Sequence, residues 1–124
     1  MDHEDRDLSE EVIGAAIEVH RVLGAGFLES TYETALAIEL EIREIPFTRQ
    51  APVALTYKDR PLGTGRIDLL IANTLIVELK AVESLHEAHT RQVVSYLKAT
   101  GHTLGLILNF NSPTLIEGVR RVVI

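Results

Sequence analysis

Two carboxylates and a lysine interrupt apolar runs in which uncompensated charge is expensive. Asp68 lies within Ile67-Asp68-Leu69-Leu70-Ile71, and ten residues later Glu78 and Lys80 lie within Leu75-Ile76-Val77-Glu78-Leu79-Lys80. Runs this rich in Ile, Leu and Val, bounded by Gly65 and by Asn73-Thr74, predict two buried strands of a hairpin. A charged group placed there without a partner costs several kcal/mol. Gathered at one point, two acids and an amine can instead hold a divalent cation and a polarised water. A buried Asp–Lys or Glu–Lys ion pair is the competing reading for any one pair. Three such groups on consecutive strands favour the site.

Glu78 and Lys80 are two apart on a strand and therefore emerge on one face. Whether Asp68 joins them depends on the hairpin. A two-residue Asn73-Thr74 turn would set Asp68 opposite Leu79 and facing away from Glu78. A three-residue loop, Ala72-Asn73-Thr74, pairs Ile71 with Leu75 and sets Asp68 opposite Glu78, as a bulge would also do. In that register Asp68 and Glu78 offer hard oxygens suited to Mg²⁺ or Mn²⁺, with the backbone carbonyl of Leu79 as a third ligand. Lys80 could orient the attacking water or neutralise an oxyanion.

Glu29 stands in the first turn of a helix, where a carboxylate complements the dipole; that role and a ligand role are equally compatible with its position. Gln92 and Tyr96 are one helical turn apart after Lys80. Gln92 could bind a ligand water or a phosphate, and Tyr96 fits a core position. His86 and His89 are three apart with Glu83 and Glu87 nearby, but a zinc site needs a further converging ligand, so a solvated helix start is expected. His89 is close enough to Gln92 in sequence to border a cleft. Gly24-Ala25-Gly26 joins two helices and is no phosphate loop.

The surrounding pattern supplies the elements that must position these groups. Asp7 and Glu10 have capping-box spacing, and Val12, Ala15, Ala16, Val19 and Leu23 form a helical stripe ended by Gly24-Ala25-Gly26. His20 and Arg21 suit that helix's negative end. A second helix is predicted over about 28–44, with Leu28, Tyr32, Ala35, Leu36 and Leu40 on one face and Pro46 closing it. Val53, Leu55 and Tyr57 then alternate as a half-buried strand, Lys58–Gly63 reads as a turn, and strands follow over 65–71 and 75–81. A helix over Glu87–Thr100 carries Val93, Tyr96 and Leu97 inward and ends at Gly101. Leu104–Asn109 is a buried strand and Val119–Ile124 a terminal one. Val119, Val122, Val123 and Ile124 could form an apolar edge for pairing. The order is α/β with helices on both sheet faces, in one domain over 1–124 whose first six residues are expected to be disordered.

The 124 residues carry a net charge of −6, unevenly spread. Residues 1–44 hold 12 acidic and 3 basic side chains and residues 45–124 hold 6 and 9, which leaves room for a basic face around Arg49, Lys58, Arg60, Arg66, Arg91 and Lys98 and fits equally a solvated acidic helical half beside a near-neutral sheet. There is no cysteine, hence no disulfide, thiolate zinc site or cysteine nucleophile. No apolar run approaches the ~20 residues that span a bilayer, and the acidic N-terminus has the wrong character for a leader peptide. A soluble cytoplasmic protein is expected.

Gly26-Phe27-Leu28-Glu29-Ser30-Thr31-Tyr32 resembles the name-giving motif of the GxxExxY family, a group of small proteins assigned to the PD-(D/E)XK nuclease superfamily. Val77–Glu83 resembles its E-x-K segment and Gly105–Asn111 its late strand, and the likeness runs from Val12 onward. The resemblance implies a restriction-endonuclease-like αβββαβ core with a mixed central sheet flanked by helices. It also implies Asp68 and Glu78 as metal ligands, Lys80 as catalytic lysine and Glu29 as the acidic residue of the first core helix. Gln92-x-x-x-Tyr96 is similar to a RecB-branch motif, which adds Gln92 to the expected catalytic set, and Tyr32, His89 and Tyr96 are expected to line the cleft. A Mg²⁺- or Mn²⁺-dependent nuclease is therefore expected, with DNA favoured over RNA, acting alone, as a homodimer or with a protein partner, away from membranes. A non-catalytic module that keeps the nuclease fold is the alternative, and metal-assisted hydrolysis of a small phosphoester is a weaker third.

Overall fold

The computed structural model describes residues 3–124, with side chains from Leu8 onward. Two helices, α1 (His3–Leu23) and α2 (Glu29–Ile42), precede three strands, β1 (Phe47–Tyr57), β2 (Arg60–Ile71) and β3 (Leu75–Lys80). Helix α3 (Glu87–Thr100), β4 (Leu104–Asn109), a 3₁₀ turn over Ile116–Gly118 and β5 (Val119–Val123) complete the chain. The strands form one mixed sheet in the order β1-β2-β3-β4-β5, antiparallel except for β3 and β4. A parallel pair needs a crossover, and α3 provides it. The architecture is restriction-endonuclease-like, as the family resemblance implied. No helix among the described residues is long and apolar enough to cross a membrane.

Period-two alternation divides the core between the sheet's two faces. Leu75, Val77 and Leu79 of β3 and Leu104, Leu106 and Leu108 of β4 pack under α1 and α2, against Val12, Ala16, Tyr32 and Leu36. Ile76 and Ile107 point the other way, against Val93 and Leu97 of α3. Alternation on β3 therefore sends Glu78 and Lys80 to the α3 side.

Helix α1 is described from His3, so it begins before the capping position expected at Asp7; that side chain, and the remainder of the expected frayed segment, lie outside the described residues. Leu28 is the N-cap of α2 and is 76% exposed, so it does not extend the buried face, because only residues inside the helix follow its period. The turn expected over Lys58–Gly63 is confined to Lys58 and Asp59, both at positive φ. Arg60–Gly63 instead belong to β2, with a register shift where Leu62 is left unpaired between Thr56↔Pro61 and Leu55↔Gly63.

One irregularity matters for the site. On β1, Phe47 packs under α1 and α2, whereas Ala51 and Val53 pack against α3; on β2, Leu69 and Ile71 face the first layer and Ile67 the second. Residues an even number apart should share a face, so both strands must roll over between these points. The switch falls at Gln50, held at φ 49°, and at Asp68 across from it, neither of which is in the ladder that pairs Arg49 with Leu69 and Ala51 with Ile67.

Candidate active site

The register that the acids require is present. Ile71 pairs with Leu75, Leu70 with Ile76 and Leu69 with Val77, so the hairpin loop is Ala72-Asn73-Thr74. Ala72 and Asn73 both take positive φ, Thr74 N–H donates to Ile71 O at 3.0 Å, and Ala72 N–H donates to Pro46 O at 2.8 Å. Ala72 is thus fixed in a conformation unfavourable for a side-chain-bearing residue by contact with the chain leading into β1.

Beyond Leu69 the β2–β3 ladder ends, and the two carboxylates take over its next rung. Leu79 N–H donates to Asp68 Oδ2 at 2.8 Å, and Asp68 N–H donates to Glu78 Oε1 at 3.4 Å. Each acid satisfies a backbone donor that a carbonyl would otherwise meet, which is why a strand break can be buried here. Glu78 is only 4% exposed. Burial, then the charge of Asp68 beside it, push its carboxyl up to about 8, with Lys80 pulling weakly the other way. Lys80 projects from the same face of β3 as Glu78 and is half-buried.

A polar network behind Asp68 was not foreseen. Gln50 Nε2 donates to Asp68 Oδ1 at 3.3 Å and to Glu33 Oε1 at 2.6 Å, while Arg49 Nε pairs with Glu33 Oε2 at 3.0 Å. Glu33 is buried and its charge is met by Arg49, as a buried carboxylate requires. Its spacing one helical turn after Glu29 is a signal that could have been read; nothing local marks Gln50, whose backbone conformation is set by the strand switch. Asn109, paired in register with Lys80, is also buried and clamps the segment after β3, with Oδ1 accepting from Val82 N–H at 3.1 Å and Nδ2 donating to Val82 O at 2.9 Å.

The remaining expected site residues fall into three groups. Glu29 reaches the end of β3 from α2 and accepts Ala81 N–H at 3.2 Å, beside Lys80 but apart from the two acids. Among the described residues no three His, Asp or Glu side chains converge as a ready-made metal cluster, so the ligand set combining Glu29 with Asp68 and Glu78 is not assembled, nor is a His86–His89 zinc site. Leu79 buries its side chain in the core and brings only its backbone to the acids.

His89 on α3 is half-buried; that burial first, then Lys80, His86 and Arg120, hold its pKa below the usual value. Its Nδ1 accepts His86 N–H at 3.1 Å, which leaves Nε2 to carry the proton of the neutral ring. Gln92 is exposed on α3 and makes no hydrogen bond to the acids among the described residues. The Tyr96 ring lies over Gly65 of β2, where a Cβ would stand 2.8 Å from Cε1.

Tyr32 is not a cleft residue. It is fully buried, stacks on Phe110 with centroids 4.4 Å apart, donates its hydroxyl to Gly24 O and accepts Phe27 N–H at 3.3 Å. Read physically, the motif from Gly26 to Tyr32 is a loop anchor: Gly26 supplies φ 115°, Tyr32 ties down the turn and Glu29 is delivered to the end of β3.

A family model described as the PD-(D/E)XK nuclease superfamily matches residues 6–122. Neither the curated proteins nor the solved structures contain a match to the chain.

Proposed function

The chain belongs to the PD-(D/E)XK nuclease superfamily, and on that footing we propose a divalent-metal-dependent nuclease that hydrolyses phosphodiester bonds of DNA. Asp68, Glu78 and Lys80 form its catalytic set. The observation that carries this reading is the meeting of Asp68 and Glu78 where β2 parts from β3, with Lys80 on the same face. Two carboxylates with one backbone carbonyl, that of Leu79, are too few for an all-protein cage. They suit Mg²⁺ or Mn²⁺, which retains waters and takes phosphate oxygens as further ligands. Glu78, pushed up to about 8 by burial and by Asp68, is a carboxyl whose ionised form a cation would favour. A cation held by Asp68 and Glu78 would supply Lewis-acid activation of water and phosphate.

The chain's own residues have separate tasks. Leu79 N–H and the Gln50 amide hold the Asp68 carboxylate in place. Lys80 orients the attacking water and places positive charge against the phosphorane-like transition state. The water oxygen bonds to phosphorus as it loses a proton to solvent, the P–O3′ bond breaks, O3′ takes up a proton from solvent, and the products are a 5′-phosphate and a 3′-hydroxyl. Glu29 fixes the backbone just after Lys80, and the His89 Nε2–H and Gln92 serve as donors to phosphate or water at the rim. The Gly26–Tyr32 motif supports a place in the GxxExxY branch, and a cytoplasmic setting, where magnesium and nucleic acid are both at hand, suits the chemistry. Cleavage of a labelled duplex with Mg²⁺ or Mn²⁺ is expected for the wild type and not for Asp68→Ala, Glu78→Ala or Lys80→Ala. Full activity in folded Lys80→Ala rejects the mechanism.

A second reading, a nuclease-fold binding module without catalysis, is favoured by the hydrogen bonds that already engage both oxygens of Asp68 and by the missing third acid. Such a module would act as a homodimer or in a larger complex. On the edge strand β5, Val122 is buried and Val119 half-buried, leaving Val123 and Ile124 as the exposed apolar groups for a partner. Calorimetry with Mn²⁺ separates the readings: equal binding by wild type and Asp68→Ala, or none by either, favours the module.

A further inference from the structure

We propose that the two-stranded arm formed by residues 51–67 is a grip for the sugar-phosphate backbone of a nucleic-acid duplex, an inference that rests on the nuclease reading of the adjoining acids. Strand β2 pairs with β3 only over Leu69–Ile71, so from Arg60 to Ile67 it pairs with β1 alone. The pair extends beyond the sheet as a ribbon that starts at Asp68. The strand switch at Gln50 and Asp68 turns its inner side, Ala51, Val53 and Ile67, onto α3, which supports the ribbon from one side.

The opposite side is free and unusually low. Pro52, Ala54, Thr56 and Thr64 are exposed there, and none is large. Charge lies at the two ends of this strip: Arg66 at its base, hydrogen-bonded to Gln50 O at 3.2 Å, and Lys58 and Arg60 at its tip. None of the three has a carboxylate partner within ion-pair distance among the described residues. Residues 51–67 hold three cations and one anion, in a chain whose net charge is −6. Positive charge is therefore concentrated on an arm whose base adjoins Asp68, within reach of a polyanion that extends past that carboxylate.

Length and shape select the partner. Six residues of strand separate Arg66 from Arg60, ~20 Å at about 3.3 Å per residue. That equals the rise of about six base pairs along a duplex axis at 3.4 Å each. A two-stranded ribbon with small outward side chains is narrow enough to lie in a duplex groove. Tyr57 and Leu62, 62% and 68% exposed at the tip, can pack on sugars at the far end.

The test is binding of a short fluorescein-labelled DNA duplex by fluorescence anisotropy in EDTA, at salt from about 50 to 200 mM. Lys58→Glu/Arg60→Glu is expected to bind at least about tenfold more weakly, with the slope of log K against log salt shallower by about 2, since each neutralised phosphate contributes about 0.9. Arg21→Glu, on the exposed end of α1, should stay within about twofold of wild type. Wild-type affinity and slope in the tip variant, an equal loss in Arg21→Glu, no duplex binding by wild type, or tighter binding of the single strand would each overturn the assignment. Because binding is read without metal, loss of the nuclease reading is separable. A wild type that grips the duplex through the tip yet never cuts it refutes catalysis alone, and one that cuts normally after tip reversal with unchanged affinity refutes the arm alone.

Discussion

Replacing Glu78 by Gln should stabilise the protein in alkaline buffer and leave it unchanged in acid. The carboxyl is raised from an ordinary 4.5 to about 8 by burial and by Asp68. Between those values the native state keeps a proton that the unfolded chain releases, so stability falls as pH rises, by up to about 1.4 kcal/mol per pH unit. Below pH 4.5 the acid is protonated in both states and costs nothing; above pH 8 its full penalty applies. At 1.36 kcal/mol per unit the whole rise is worth ~5 kcal/mol, and about 3–5 kcal/mol is the expected gain of Glu78→Gln at pH 8.5. Gln matches the protonated acid in shape and can still accept Asp68 N–H.

Urea unfolding of both proteins in EDTA at several pH values provides the assay, because every other titrating group is common to the two. The charge of Asp68 contributes to the rise at Glu78, so Asp68→Asn should also flatten the wild-type slope. A stability difference that stays constant from pH 5 to 8.5 would refute the idea that Glu78 is held protonated. Added Mn²⁺ should then stabilise wild type more at pH 8 than at pH 5.5, by about 2.7 kcal/mol at a hundred times Kd, and Glu78→Gln much less at either.

Other residues give sharper separations of structure from function. Tyr32→Phe removes a hydroxyl that serves Gly24 and Phe27; chemical denaturation should show a loss of about 1–2 kcal/mol, while calorimetry finds Mn²⁺ affinity unchanged. Glu33→Gln weakens the hold of Gln50 on Asp68, and Mn²⁺ affinity is expected to drop about tenfold or more, as for other residues that orient a ligand. Gly65→Ala forces the Tyr96 ring off β2 and should cost about 1–3 kcal/mol in urea unfolding, with equal stability refuting the packing described.

Much of the scaffold was legible because its signals are local. Val12, Ala16 and Val19 on α1 follow a helical period that a short window contains, and they are buried as that period requires. Gly101 ends α3 at φ 79°, the left-handed conformation that a glycine after a helical stripe announces. Alternation along Leu75–Lys80 likewise fixed the shared face of Glu78 and Lys80, whatever lay opposite. The same motif residues misled where role and position part: helical spacing put Tyr32 on the buried face, and its bonds to Gly24 and Phe27 show an anchor in place of a cleft residue.

From the amino-acid order alone came the helices, the sheet strands and the candidate trio of acid, acid and amine. Tertiary structure decided whether the trio meets. The loop at Ala72 is held by Pro46 O, the roll of β1 and β2 is seated at Gln50 and Asp68, and Gln50 is tied to Glu33 on a helix seventeen residues earlier. Periodicity is written within a few residues of itself, whereas register and strand rotation are set by partners far along the chain, which no local window contains.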